Sequence, residues 1–159
     1  MCERFPDGMT IETVFDTFCD TVYRLAYART GNRFDAEDIL QTVFLKLMKT
    51  DKAFSDKEHL KAWLLKVTVN SSKNLLTAAF MRLTDPLHEG ISAPEHEVSE
   101  VYNQVMKLPL KYRTVIHLHY FEGYSCAQIA DLEGTKEATV KTRLSRGRKR
   151  LEEALKGEF

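Results

Sequence analysis

The stretch "QIADLEGTKEATVKTRLSRGRKRL", residues 128–151, sets a short apolar segment, a glycine turn and a strongly basic segment in immediate succession. Both segments have helical spacing, and a turn of three or four residues containing Gly134 joins them, which is the spacing of a helix-turn-helix. Ile129 and Ala130 turn the first helix inward. On the second, Val140, Leu144, Leu151 and Leu155 fall on one stripe, expected to be buried, and Gly147 on that stripe lets another helix approach closely. At about 100° per residue, the opposite face holds Ala138, Thr139, Thr142, Ser145, Arg146 and Lys149, flanked by Lys141, Arg143, Arg148 and Arg150. Small polar residues near the start of a helix let it reach base edges, and basic flanks, with Lys136 at the beginning, reach phosphates on both groove walls. The chain has no net charge, yet residues 136–150 carry seven basic residues against the single acid Glu137. A charge run alone also fits a solvated surface; placed on the second helix of a helix-turn-helix it points to nucleic acid.

Outward from this stretch, helical periodicity dominates the 159 residues, and no strand alternation is evident. A first helix starts at Thr10, carries Val14, Phe15, Phe18, Val22, Leu25 and Ala26 on one face, and ends at Gly31-Asn32. A second opens at "DAED", with Asp35 as N-cap and Asp38 as its partner, and buries Ile39, Leu40, Val43, Phe44 and Leu47. A third opens with an S-x-x-E box, Ser55 and Glu58. It carries Leu60, Trp63, Leu64, Val67, Ser71, Leu75 and Ala78, and reaches about Arg82. Residues 84–98, "TDPLHEGISAPEHEV", break the pattern with two prolines and a glycine and read as a flexible linker. Four further helices are expected: about 99–108, stopping at Pro109; about 111–121, stopping at Gly123; one boxed by Ser125 and Gln128 and ending at Gly134; and about 136–156. The expected fold is all-α, two small helical domains at 1–83 and 99–159 joined by the linker 84–98, the second containing the helix-turn-helix.

Composition removes several classes of function. The chain is 43% hydrophobic and 29% charged, as in an ordinary globular protein. Three cysteines without a CxxC argue against a disulfide framework or zinc site and fit a reducing cytoplasm. Cys19 and Cys126 sit among apolar helical positions and read as core or near-core. Residues 1–10 lack the apolar run of a secretion signal, and no stretch approaches the ~18 apolar residues of a membrane span. His117 and His119, two apart, face different sides of a helix, which disfavours a shared metal. No phosphate-binding glycine loop or nucleophile elbow is present. Neither a catalytic group, a metal nor a cofactor is expected, so the chain does not read as an enzyme.

Three segments, "DAEDILQTVFLKL" (35–47), "HLKAWLLKVTVNSSKNLL" (59–76) and "KLPLKYRTVIHLHYFEGYSCAQIADLEGTKEATVKTRLSRGRKRL" (107–151), resemble in order the sigma-70 family of bacterial transcription initiation factors, specifically its small extracytoplasmic-function group. The resemblance covers nearly the whole chain. It implies a first domain that binds core RNA polymerase and the melted promoter −10 element, and a second that binds the −35 element as duplex DNA. It also makes an anti-sigma factor a plausible partner; no membrane partner is expected, because no apolar run is long enough to span one. Asp35, Glu37, Asp38 and Gln41 match the acidic patch that meets the polymerase; carboxylates at a helix start are also stabilised by the helix dipole, and N-capping alone accounts for Asp35 and Asp38. Trp63 matches the family's "WL" and reads as core.

Asn70 matches an Asn near the strand-opening surface, where paired donor and acceptor groups read a base edge; an internal hydrogen bond is the other reading. Phe54, in the loop that corresponds to a base-capturing loop, either lines a pocket for a flipped base or anchors the loop. Lys61, Lys66 and Lys73 are candidate contacts to the −10 backbone. Lys136, Thr139, Lys141, Thr142, Arg143, Arg146 and Lys149 are candidates for the −35 duplex. Asn74 and Thr77 depart from the family, which usually has Asp and a basic residue there; this puts the strength of the −10 contacts in question. Two rival readings stand beside this one: a stand-alone helix-turn-helix regulator of duplex operators, and an interaction module whose basic helix meets an acidic protein. The acidic start of the first domain and its second DNA surface count against a regulator.

Overall fold

The structure, a computed structural model, describes residues 4–81 and 100–156, the side chains of 78–81 aside. The expected linker 84–98 lies outside these residues, as do Cys2, Arg82, Ser99 and the side chain of Ala78. Backbone contacts divide the chain into two units, Met1–Glu89 and Gly90–Phe159. Every regular element among the described residues is helical, as the all-α expectation requires.

In unit 1, Thr10 accepts a hydrogen bond from the Thr13 amide and starts α1 (Ile11–Thr30). Gly31 ends it in the left-handed region at φ 66°, where a glycine carries no Cβ penalty. The next helix begins sooner than expected. Asn32, not Asp35, caps α2 (Arg33–Lys49), its side-chain oxygen accepting from the amides of Phe34 (2.8 Å) and Asp35 (3.3 Å). Asn and Asp are equally good caps, and the glycine turn lets the chain re-enter a helix at once, so Asp35 and Asp38 lie inside α2. A similar shift occurs at α3 (Lys57–Met81). There Asp56 Oδ1 accepts from the His59 amide at 2.7 Å, while the Ser55 amide donates to His59 Nδ1 at 3.2 Å. The expected Ser55–Glu58 box is not formed, because a charged carboxylate one residue closer to the first turn is the stronger acceptor.

Each of α1, α2 and α3 packs against the other two. Val14, Phe18, Val22, Ala26, Ala36, Ile39, Val43, Phe44, Leu47, Leu60 and Leu64 form the shared core. Phe15 departs from the expected stripe: it is 41% exposed and meets Phe44 edge-on at 4.9 Å. Pinned between two partners, α3 buries about half its circumference, so Leu65, Thr68, Val69 and Ser72 join the expected positions. The buried hydroxyls are satisfied within the helix, Thr68 donating to the Leu64 carbonyl (2.6 Å) and Ser72 to that of Val69 (2.7 Å). The buried Arg29 donates to Ser72 Oγ.

Unit 2 holds α4 (Glu100–Met106), α5 (Leu110–Ile116), α6 (Cys126–Glu133) and α7 (Glu137–Lys156). A wider turn at His117–Phe121 continues α5. It buries His117, whose Nε2 lies 3.6 Å from Glu122 Oε1 and whose ring stacks on Phe121. The reciprocal box of Ser125 and Gln128 forms as expected (2.9 and 3.2 Å), and Gly134 at φ 68° ends α6. α7 packs on α4, α5 and α6. Gly147 faces α5 so closely that a Cβ would stand 3.2 Å from Ile116 Cγ1 and 3.3 Å from Tyr112 Cβ. The expected buried stripe of α7 is only partly covered. Val140, Leu144 and Gly147 are buried, whereas Leu151 and Leu155 are half-exposed. They line an open apolar groove of about 400 Å³ with Val101, Val105, Tyr120 and Phe121. Cys19 and Cys126 are half-buried; burial, with the Asp20 charge second, raises the Cys19 thiol pKa.

Candidate nucleic-acid interface

On α7 the small residues Ala138, Thr142 and Ser145 are exposed, with Arg146 and Lys149 beyond them and Thr139 half-buried at the edge. The Thr142 hydroxyl donates back to the Ala138 carbonyl at 3.0 Å. The cations of this helix divide into two sets. Lys136, just before the helix, and Lys141, Arg146, Lys149 and Arg150 on it are exposed, Lys141 with an ion pair to Glu137 (3.4 Å) that solvent screens. Arg143, by contrast, bonds Glu133 Oε2 at 3.1 Å, with that carboxylate side chain only 7% exposed, and so ties the two helices of the helix-turn-helix together. Arg148 turns to the other side and donates to Tyr120 Oη at 3.1 Å. By helical periodicity alone Arg143 and Arg148 are equivalent to their neighbours; the acceptors that hold them come from other helices and leave no mark on that periodicity. Lys111 of α5, outside the basic run of α7, shares a pocket with Thr139, Thr142 and Arg146.

In unit 1, Lys66, Asn70 and Lys73 are exposed and share one stripe of α3 with Asn74 and Thr77. Lys61 lies about 140° around the helix from Lys66 and is half-buried, so the structure does not bring it to that stripe. Phe54 is 5% exposed. Its ring stacks with Phe5 and meets Trp63 (5.6 Å) and His59 (5.3 Å) edge-on, and its amide donates to the Arg4 carbonyl. In this structure the ring is enclosed by Phe5, His59 and Trp63, a packing that favours the loop-anchoring reading. Trp63 is half-buried against this cluster, in line with a core role.

The exposed side of α2 carries more than acid. Phe34 (61% exposed), Asp38, Gln41, Leu45 (47%) and Met48 (59%) recur on one stripe, with Glu37 at its edge. Asp35 is half-buried about 100° away and stands apart from the other three expected residues. Three large apolar side chains held in water on one helix face suit a protein partner, and the exposed Asp38 and Gln41 lie between them. In the sequence the apolar ones stand off the core stripe of α2, the one local signal of this face. On the neighbouring side, burial foremost and then the Glu37 charge raise the Tyr23 phenol pKa. Among the described residues no group of three His, Cys, Asp or Glu has metal-binding proximity, and no helix is long and apolar enough to cross a membrane.

Comparison with known proteins accounts for both units. The family model for Sigma-70 region 2 matches residues 14–79, and that for Sigma-70 region 4 matches residues 99–151. The chain is 27% identical to the ECF RNA polymerase sigma factor SigW of Bacillus subtilis, over 90% of this chain and 87% of the relative. It is 30% identical to the RNA polymerase sigma factor SigV of the same organism, over 80% of each. It is also 30% identical to the ECF RNA polymerase sigma-E factor of Haemophilus influenzae, over 78% and 76%. Its fold is similar to that of the sigma factor RpoE, solved in complex with the anti-sigma factor NepR from Bartonella quintana, with a TM-score of 0.77, 23% identity, and 91% and 96% of the two chains covered. A second fold match is CnrH, solved in complex with the cytosolic domain of CnrY, with a TM-score of 0.63, 21% identity, and 94% and 89% covered. The chain belongs to the sigma-70 family of RNA polymerase sigma factors, within its extracytoplasmic-function group. It directs promoter recognition in transcription initiation. A stand-alone regulator would have no use for region 2, and that alternative is not favoured.

Proposed function

We propose a division of labour among three helices. α7 enters the major groove of the duplex −35 element, with Thr139 and Thr142 nearest the bases and Lys136, Lys141, Arg146 and Lys149 on phosphates. The α3 stripe of Lys66, Asn70 and Lys73 meets the melted −10 strand, with Lys61 and Phe54 supporting that surface from behind. The α2 stripe of Glu37, Asp38 and Gln41, extended by Phe34, Leu45 and Met48, docks on the core polymerase, and Asp35 contributes its charge from the side. The observation that carries this reading is the exposed face of α7, small residues first and exposed cations after them, on the second helix of a helix-turn-helix.

In this reading the chain performs no chemistry itself and needs no cofactor. It supplies position, and the polymerase forms the bonds. It works in the cytoplasm, where the polymerase and its template are, and an anti-sigma protein holds it away from them until a signal arrives. The test is co-purification with core polymerase followed by run-off transcription with start sites mapped. The chain should join the enzyme and create starts that share a −35 and a −10 sequence. Specific duplex binding without polymerase association or new starts would overturn the proposal.

A further inference from the structure

The basic face of unit 2 extends beyond α7. Tyr112 of α5 lies beneath it, 4% exposed, and three cations converge on this side chain. The Lys111 ammonium and the Arg150 guanidinium each stand 5.0 Å from the ring centroid, and Arg146 is within hydrogen-bonding reach of the hydroxyl. Beside the ring a pocket of about 320 Å³ opens, lined by Lys111, Tyr112, Thr139, Thr142, Arg143 and Arg146. Arg143 is already committed to Glu133. Among the described residues no carboxylate is paired with Lys111, Arg146 or Arg150. Cations gathered at one pocket without a counter-charge repel one another in the free protein, and an entering anion turns that repulsion into binding.

Resting on the assignment of α7 to duplex DNA, we propose that this pocket seats one backbone phosphate, with Lys111 and Arg146 on its non-bridging oxygens and the Tyr112 hydroxyl, itself accepting from Arg146, donating to one of them. The ring beneath gives the Lys111 and Arg150 side chains a surface to lie on, so less rotamer freedom is lost when they engage. The phenol is also a better donor than an ordinary tyrosine. Burial works against this, but the charges of Lys111, Arg146 and Arg150 and the bond from Arg146 together lower its pKa. Thr139, Arg143, Arg146 and Arg150 follow one another at helical spacing along the edge of α7 that borders the pocket. A phosphate held on that edge sets the rotation of α7 in the groove; such contacts position the helix while base contacts specify the sequence.

The test uses the full chain and a duplex enriched for binding to it from a random-sequence pool, with affinity measured across a salt series. Lys111→Gln should weaken binding and reduce the salt slope by about 0.9, the value for one duplex phosphate. Tyr112→Phe keeps the ring and the fold but removes one hydrogen bond to a charged group. It should weaken binding roughly tenfold and leave the slope unchanged, which a merely structural role for the hydroxyl would not produce. Neutral methylphosphonate placed at successive backbone positions should reveal one position that weakens the wild-type chain strongly and each variant less, because each variant has already lost one contact to that phosphate. If Arg146→Ala weakens binding while both variants match wild type in affinity and slope, the phosphate seat is overturned and the α7 assignment survives. If the pool yields no duplex that the wild-type chain prefers, both fall together.

Discussion

The two helices assigned to promoter DNA, α3 and α7, solve different problems with different residues. α7 is buried on a narrow stripe through Val140, Leu144 and Gly147, which leaves most of its surface for cations. α3 is held by both α1 and α2, buries about half its girth, and keeps one exposed stripe with Lys66 and Lys73 among Asn70, Asn74 and Thr77. Duplex DNA presents two rows of phosphates to a docked helix, and charge is the fitting response. A melted strand presents unstacked bases, and amides and hydroxyls can pair with their edges. Where charge is concentrated the affinity should be steeply salt-dependent; where it is sparse, shape and hydrogen bonding should carry more.

The largest effect that would break this contrast comes from the packing of α7. Gly147→Val places a Cβ 3.2 Å from Ile116 Cγ1 and adds two methyl groups to a closed contact. Overpacking of this kind costs about 1–3 kcal/mol, so unit 2 should melt earlier by circular dichroism and duplex binding should fall with it. Unchanged melting would mean that α5 yields easily and that the close approach is not needed to position α7. Next in size is Arg146→Ala, expected to weaken −35 duplex binding by about 1–3 kcal/mol and to lower the salt slope by about one. An unaltered slope would show that this face of α7 lies away from the phosphates. Smaller again is Lys66→Gln with Lys73→Gln. Single strands give a slope of only about 0.7 per phosphate, so the pair should blunt single-stranded −10 binding mildly and leave the duplex slope alone. A change in the duplex slope as large as that of Arg146→Ala would erase the distinction between the two helices.

The same contrast explains what the sequence made legible. The start of α7 and the whole of α6 were legible, because one narrow stripe, a Ser–Gln box and a left-handed glycine each leave a local signature, whereas Leu151 and Leu155 at the end of the α7 stripe are half-exposed. α3 was read less fully. A helix gripped from two sides buries positions that do not share a single stripe, and Leu65 and Val69 fall outside the pattern for that reason. The candidate sites divide in the same way. Exposure of Arg146, Lys149, Lys66 and Asn70 follows from their own helix, whereas the Arg143–Glu133 and Arg148–Tyr120 contacts depend on which helices meet. Phe54 could be placed in the core only once Phe5, His59 and Trp63 were known to surround it. Phe34, Leu45 and Met48 were visible as apolar residues off the stripe, but only their exposure distinguishes a docking face from loose packing.

The smallest expected effect separates capping from docking on α2. Asn32 caps that helix through the amides of Phe34 and Asp35, while Asp38 sits a turn further on and is exposed. Asn32→Ala should therefore cost about 1 kcal/mol of stability. Asp38→Ala, an exposed site with no capping role, should stay within about 0.5 kcal/mol of wild type. Polymerase affinity should respond in the opposite order, falling for Asp38→Ala and holding for Asn32→Ala at temperatures where both are folded. Denaturant titration gives the first pair of values and co-purification with core polymerase the second. If Asp38→Ala lowered stability as much as Asn32→Ala and left polymerase binding intact, its carboxylate would be serving the helix dipole. The docking role on α2 would then fall to the exposed apolar side chains Phe34, Leu45 and Met48 alone.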